Sequence, residues 1–215
     1  MVKTSSKVRW DRIRKARTRI EQGFYDDPAV LDKILAPRKL DRILKDLNKC
    51  PVGDGHQYRD LVAEVVSKCL SDVVDVPLSR REFKAAGGRS DIELPLRIEA
   101  LTDLPVWSRW ADKYDMRSIV LESKNEKHQS SVQDVSQLKG YLDLLGVGRF
   151  GLLVVRNGFS RNTIQNLSRV AKENRTLILP LDHEQLGELA NASKDGSKAT
   201  MEYLRRRETL LFQTA

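Results

Sequence analysis

Cysteine is scarce in this chain: Cys50 and Cys69 are the only two. They lie too far apart to form a short zinc-binding pair, and two cysteines cannot supply a disulfide framework. The sequence therefore favours a protein of a reducing compartment that is stabilised by a hydrophobic core.

Long hydrophobic runs are also missing. No apolar stretch approaches the roughly 20 residues that a membrane-spanning helix needs. The first residues carry charge where a signal peptide would be apolar. We therefore expect a cytoplasmic protein with no membrane partner.

The signatures of several enzyme classes are absent as well. There is no P-loop and no nucleophile-elbow serine. Residues 146–151 read G-x-G-x-x-G, but they follow a predicted helix and open a predicted strand, which is the reverse of a dinucleotide site. These glycines are expected to end the helix.

Positive charge is plentiful but very unevenly distributed. The net charge is +8, and residues 1–20 hold eight Lys or Arg residues and one acid. A basic block of this kind is typical of a protein that binds a polyanion. The predicted phosphate-binding residues are Arg9, Arg12, Lys15 and Arg19. The alternative is a solvated amphipathic helix that packs through Ile13 and Ile20.

The apolar pattern divides the chain into two parts. Residues 1–49 contain three short helical stripes and are predicted to form a small basic helical module. Proline and glycine in residues 50–57 indicate a linker. From residue 57 onward we predict a helix, strands near 73–78, 90–94 and 118–122, then a helix, a strand at 150–155, a helix and a strand at 176–181. Alternating helices and buried strands predict an α/β domain over residues 50–215 with helices on both faces of its sheet.

Two charged residues follow the apolar run of the strand near 118–122. Glu122 and Lys124 are two positions apart, so in a strand both side chains point to one face. Asp91 lies on the preceding predicted strand, which we expect to pair with this one. Carboxylates beside a lysine can hold Mg²⁺ and its attacking water, so Asp91 and Glu122 are candidate metal ligands. Lys124 would position the water, or deprotonate it if desolvation lowers its pKa.

Asp91 followed by Glu122-Ser123-Lys124 resembles the PD-(D/E)-x-K signature of the restriction-endonuclease-like nuclease superfamily. Gln137 and Tyr141, four apart on the next predicted helix, are similar to the Q-x-x-x-Y motif of RecB-type members. The order of elements is similar to the αβββαβ core of that superfamily, and residues 149–160 and 176–189 resemble the closing strands of Mrr-type restriction domains.

The resemblance implies a Mg²⁺-dependent deoxyribonuclease, with Mn²⁺ able to replace Mg²⁺. It implies metal binding by Asp91 and Glu122, with the Ser123 carbonyl and a first-helix carboxylate, Glu64 or Asp60, as further candidate ligands. It implies catalytic or site-lining roles for Lys124 and for Gln137 and Tyr141. The implied setting is restriction of foreign DNA, an antiviral defence, with DNA as partner and a homodimer or larger defence complex as the assembly.

Other interpretations remain open at this point. The nuclease could serve repair, resolve junctions or act as a toxin, or the fold could be kept for DNA binding or assembly without catalysis. Glu122 and Lys124 could be a solvated salt pair at a strand end, which would contribute little. Glu64 could be a solvent-facing helical residue, and Gln137 with Tyr141 a polar shoulder of the helix.

Overall fold

The computed structural model describes residues 40–75, 92–145 and 148–214. The chain divides into two compact units, Met1–Lys39 and Leu40–Ala215. The predicted DNA-contacting residues of the first unit and the predicted metal ligand Asp91 lie outside the described residues.

Helices and strands alternate through most of the second unit. In chain order they are α1 (Leu40–Lys49), α2 (Gly55–Cys69), β1 (Ile92–Pro95), α3 (Ile98–Asp103), α4 (Pro105–Lys113), β2 (Ser118–Lys124), α5 (Val132–Leu145), β3 (Phe150–Val155), α6 (Arg161–Asn174), β4 (Leu177–Asp182), α7 (His183–Lys194) and α8 (Ser197–Gln213).

The strands form one four-stranded sheet in the order β1-β2-β3-β4. β1 runs antiparallel to β2, with Ile92 paired to Leu121. β2, β3 and β4 are mutually parallel, so their carboxyl ends meet at one edge of the sheet. A proline stands in each outer strand, Pro95 in β1 and Pro180 in β4, and none in the two central strands.

Helices cover both faces of the sheet. α5 and α6 are the crossover helices of the parallel strands; they contact each other and pack on one face. α2 and α7 contact each other and pack on the other face, with α1 outside α2. Every residue of β3 is buried, as its six apolar residues require. The predicted α/β architecture, with a mixed sheet between helices, is therefore confirmed.

An aromatic cluster closes the end of the sheet opposite to the carboxyl edge. Trp110 and Tyr114 pack on Phe150, the first residue of β3. The carboxylate of Glu208, in α8, accepts hydrogen bonds from Trp110 Nε1 at 3.1 Å and from the hydroxyl of Tyr114. The Nζ of Lys113 lies 2.7 Å from the same carboxylate. The aromatic residues between β1 and β2 thus pack as a cover over this end of the sheet, and they also hold the last helix in place.

The structure differs from the prediction in three places. Within the predicted strand 73–78, Val74 forms a single antiparallel bridge with Leu96, and residues 76–78 lie outside the described residues. Two helices, α3 and α4, separate β1 from β2, and α7 and α8 follow the last predicted strand.

None of the described helices is both long and apolar enough to cross a membrane.

Candidate functional site

A buried ion pair stands at the carboxyl end of β2. The Nζ of Lys124 lies 2.8 Å from Oε1 of Glu122, and their side chains are only 7% and 5% exposed. The two residues are on one face because strand side chains alternate, as the sequence predicted. A solvated salt pair, the alternative for these residues, does not fit this burial.

Two residues of α5 complete the surroundings of the Lys124 ammonium. Oδ1 of Asp134 lies 3.3 Å from Nζ, and Oε1 of Gln137 lies 3.5 Å from it. An ammonium has three N–H donors, and here it has three acceptors from two elements of the fold. Lys124 is therefore held from both the strand and the helix that follows it.

The charge state of Lys124 follows from these neighbours. Burial lowers the pKa of Lys124, but the carboxylates of Glu122 and Asp134 outweigh it and leave the pKa above its ordinary value. Desolvation therefore does not produce the lowered pKa that a general base would need. In this arrangement Lys124 is a cation.

Gln137 connects Lys124 to Tyr141. Its amide oxygen faces the ammonium, and its Nε2 donates a hydrogen bond to the Tyr141 hydroxyl at 2.9 Å. Residues four apart in a helix lie on one face, which brings both side chains to the end of β2. Glu122, Lys124, Gln137 and Tyr141, four of the predicted site residues, therefore belong to one continuous set of contacts.

Asp134 is the member of this group that the sequence interpretation missed. It stands in the first turn of α5, where its carboxylate accepts from the backbone N–H of Ser131 at 2.8 Å. Burial raises the pKa of Asp134, but the Ser131 hydrogen bonds, the Lys124 charge and the Ser130 hydroxyl together hold it below its ordinary value. The spacing S-x-x-D before an apolar helix marks a capping residue, and only the fold shows that it also contacts Lys124.

A second polar cluster begins at the next residue of the chain. The side chain of Asn125 is buried and donates to the carbonyls of Pro51 at 2.7 Å and Asp54 at 3.0 Å. Arg156 Nη1 donates to Asn125 Oδ1 at 3.1 Å and to the carbonyl of Cys50 at 2.7 Å. This cluster fixes the segment before α2 against the ends of β2 and β3. The predicted linker is therefore docked beside the site.

The other predicted metal ligands lie at different distances along the chain from Glu122. Ser123 lies between Glu122 and Lys124, so its side chain points to the opposite face; its Oγ is buried and has no hydrogen-bond partner among the described residues. Glu64 is half-buried in α2, the helix that packs on β2. Asp91 is outside the described residues, but the residue after it, Ile92, pairs with Leu121, the residue before Glu122.

Glu122 offers carboxylate oxygens, the type of ligand that hard divalent cations take. Among the described residues no group of three or more His, Cys, Asp or Glu side chains could hold a metal ion. Mg²⁺ does not require such a group, because it is commonly bound by one or two carboxylates together with water and phosphate oxygens. The buried carboxylate of Glu122, two residues from a lysine, is a donor of this type.

The chain matches no protein-family model, no curated protein and no solved structure.

Proposed function

We propose that this protein is a Mg²⁺-dependent endonuclease that hydrolyses phosphodiester bonds in DNA. One observation carries the proposal: Glu122, Lys124, Gln137 and Tyr141, selected from the sequence as a catalytic set, form one chain of contacts with successive distances of 2.8, 3.5 and 2.9 Å. Burying a carboxylate and an ammonium is costly even when they are paired. A catalytic role for Glu122 and Lys124 would explain why the fold keeps this pair buried despite its free-energy cost.

The pairing of β1 with β2 supports a second carboxylate in the site. Asp91 precedes Ile92, and Glu122 follows Leu121, the partner of Ile92 in the sheet. In the proposed site Asp91 and Glu122 would hold the metal, with the Ser123 carbonyl and Glu64 as further candidate ligands. Bound Mg²⁺ would acidify water and neutralise charge on the phosphoryl oxygens.

Lys124 acts in this proposal as a cation. Held between Glu122 and Asp134, its ammonium would orient the attacking water and attract the phosphate. Gln137 lies 3.5 Å from the ammonium and donates a hydrogen bond to Tyr141, whose hydroxyl would face the scissile backbone. Defence against foreign DNA is the setting that the resemblance to Mrr-type domains favours.

The test is a cleavage assay with the purified full-length chain. Supercoiled plasmid, single-stranded DNA and RNA are each incubated with Mg²⁺, with Mn²⁺ or with chelator. We expect metal-dependent cutting of DNA, and we expect Glu122→Gln to lower the rate by a factor of about 100 or more, the size typical for loss of a key electrostatic contact. Circular dichroism verifies that the variant remains folded.

Two residues of the same region provide matched controls. Glu126→Gln removes an exposed carboxylate four residues after Glu122, and Lys139→Ala removes a lysine of α5 that pairs with Asp143. Both should cut as the wild type does. Activity that survives in Glu122→Gln would place the cutting elsewhere.

A buried, fully paired lysine also fits a purely structural polar core, which favours the non-catalytic alternative of a DNA-binding or assembly subunit. That alternative predicts DNA binding by the full chain with no cleavage of any substrate under any metal condition. The same plasmid assay combined with a binding titration separates the two functions.

A further inference from the structure

The two carboxylate oxygens of Asp134 have different partners. Oδ2 accepts hydrogen bonds from the Ser131 backbone N–H at 2.8 Å and from the hydroxyls of Ser130 and Ser131, each at 3.1 Å. Oδ1 lies 3.3 Å from the Nζ of Lys124. The helix cap uses only Oδ2. The serine contacts hold the carboxylate with Oδ1 facing the ammonium, and they are complete without Lys124.

The serines that hold Asp134 are themselves fixed to another part of the fold. The backbone N–H of Ser130 donates to the carbonyl of Gly158 at 3.0 Å. The carbonyl of Ser130 accepts from the hydroxyl of Thr163 at 2.7 Å, and Thr163 is fully buried near the start of α6. The carboxylate of Asp134 is therefore anchored to the segment that joins β3 to α6.

The ammonium, by contrast, stands at the end of a flexible four-carbon stem. Glu122 approaches it from the same strand, two residues away, and the uncharged amide oxygen of Gln137 lies farther off, at 3.5 Å. Asp134 approaches it from α5, so the two carboxylates fix Nζ from two elements of the fold.

We propose that Asp134 is a positioning residue of this site, whose carboxylate sets where the Lys124 ammonium stands relative to Glu122. The proposal rests on the proposed nuclease function for its effect on rate, and on the contacts alone for its effect on Lys124. A displacement of about 1 Å in a catalytic group can cost about 100-fold in rate. Loss of the Asp134 charge should therefore act on the chemical step and spare substrate binding.

Two variants separate positioning from capping. In Asp134→Asn the amide oxygen can still accept hydrogen bonds from the serines. The amide NH₂ group then faces the ammonium, and since both groups are donors they form no hydrogen bond. Ser131→Ala removes a hydroxyl donor of the cap but leaves the carboxylate facing Lys124. The first variant removes the Lys124 contact and keeps most of the cap, and the second weakens the cap and keeps the contact.

Three quantities are measured for each variant in the full-length protein: the single-turnover rate of DNA cleavage with Mg²⁺, the Kd for the same DNA with chelator, and Tm. We expect Asp134→Asn to cut about 10- to 100-fold more slowly with a Kd within about twofold of wild type. Ser131→Ala should lower Tm and cut at the wild-type rate. An unchanged rate in Asp134→Asn overturns the proposal, and so does an equal loss of rate in Ser131→Ala.

A fourth measurement does not depend on cleavage. In protein labelled with ¹⁵N-lysine, the buried Lys124 ammonium should give an NMR signal protected from exchange, which is assigned by its loss in Lys124→Met. We expect this signal to shift or broaden in Asp134→Asn and to persist in Ser131→Ala. If the wild type cuts no nucleic acid, the nuclease proposal fails. The ammonium signal then still decides whether Asp134 positions Lys124, and an unaltered signal in Asp134→Asn refutes it.

Discussion

Replacing Lys124 with methionine tests the energetic consequence of the buried pair. Methionine keeps the length and apolar character of the stem and removes the charge, so no large cavity forms. The carboxylate of Glu122, whose side chain is 5% exposed, then stays in the interior without its cation, and Asp134 loses the same partner. An uncompensated buried charge is among the costliest defects that a single substitution can create.

The burial of both partners sets the expected magnitude. Removing one member of a buried pair costs about 3–5 kcal/mol, whereas an exposed pair is worth about 0–1 kcal/mol. A domain of this size loses roughly 2–4 °C of Tm for each kcal/mol, so Lys124→Met should lower Tm by roughly 6–20 °C. In Glu122→Gln/Lys124→Met the neutral amide needs no cation. We therefore expect the double variant to be more stable than Lys124→Met alone.

The assay is thermal unfolding and urea unfolding of the wild type, both single variants and the double variant, followed by circular dichroism. The double-mutant cycle isolates the coupling between the two residues. A cost for Lys124→Met below about 1 kcal/mol, with no coupling to Glu122, would show that the pair is solvated and would refute the reasoning from burial.

Three further predictions concern other features. Because the pKa of Asp134 is held below its ordinary value of 3.8, its charge stabilises the fold above pH 3.8, and this contribution is lost as the pH falls through the folded-state pKa. The gap in unfolding free energy between wild type and Asp134→Asn should therefore be constant near neutral pH and shrink below 3.8, and a gap that widens in acid would contradict this. Gly148→Ala should lower Tm, at a cost of more than about 1 kcal/mol, because Gly148 has φ +109° and an added Cβ would come within 2.1 Å of the Asp115 carbonyl oxygen; a normal melting curve would contradict it. Deleting residues 1–20 should weaken DNA binding for every sequence and flatten the dependence of log Kd on log salt by about 0.9 per lost phosphate contact, and an unchanged slope would show that the basic segment is not on DNA.

Local patterns predicted the parts of the fold that depend on runs of one residue type. The strand at 150–155 was predicted with the bounds that the structure has, because a run of six apolar residues has the length of a buried strand and is shorter than a typical helix. The strand near 118–122 continues to Lys124. Glu122 and Lys124 at its charged end are buried as an ion pair.

Several features were not predicted, and most of them depend on contacts between residues far apart in the chain. Helix α7 begins with a capping box of Asp182 and Gln185, a signal that is present in the sequence but was masked by the preceding apolar strand. Asp134 has the sequence pattern of a capping residue, and its contact with Lys124 arises because β2 and α5 meet in three dimensions. Asn125 and Arg156 likewise gave no sequence signal, since their partners are backbone carbonyls from the segment before α2.

The placement of proline across the sheet limits how the protein can associate with copies of itself. Residues 150–155, FGLLVV, are uncharged and free of proline, which is the composition of segments that stack into amyloid. They lie between two other strands, so their backbone donors and acceptors are already used. The outer strands each contain a proline, which has no N–H to offer to an incoming strand. An unfolded chain that exposed residues 150–155 would lose this protection, so resistance to aggregation should depend directly on the stability of the native sheet.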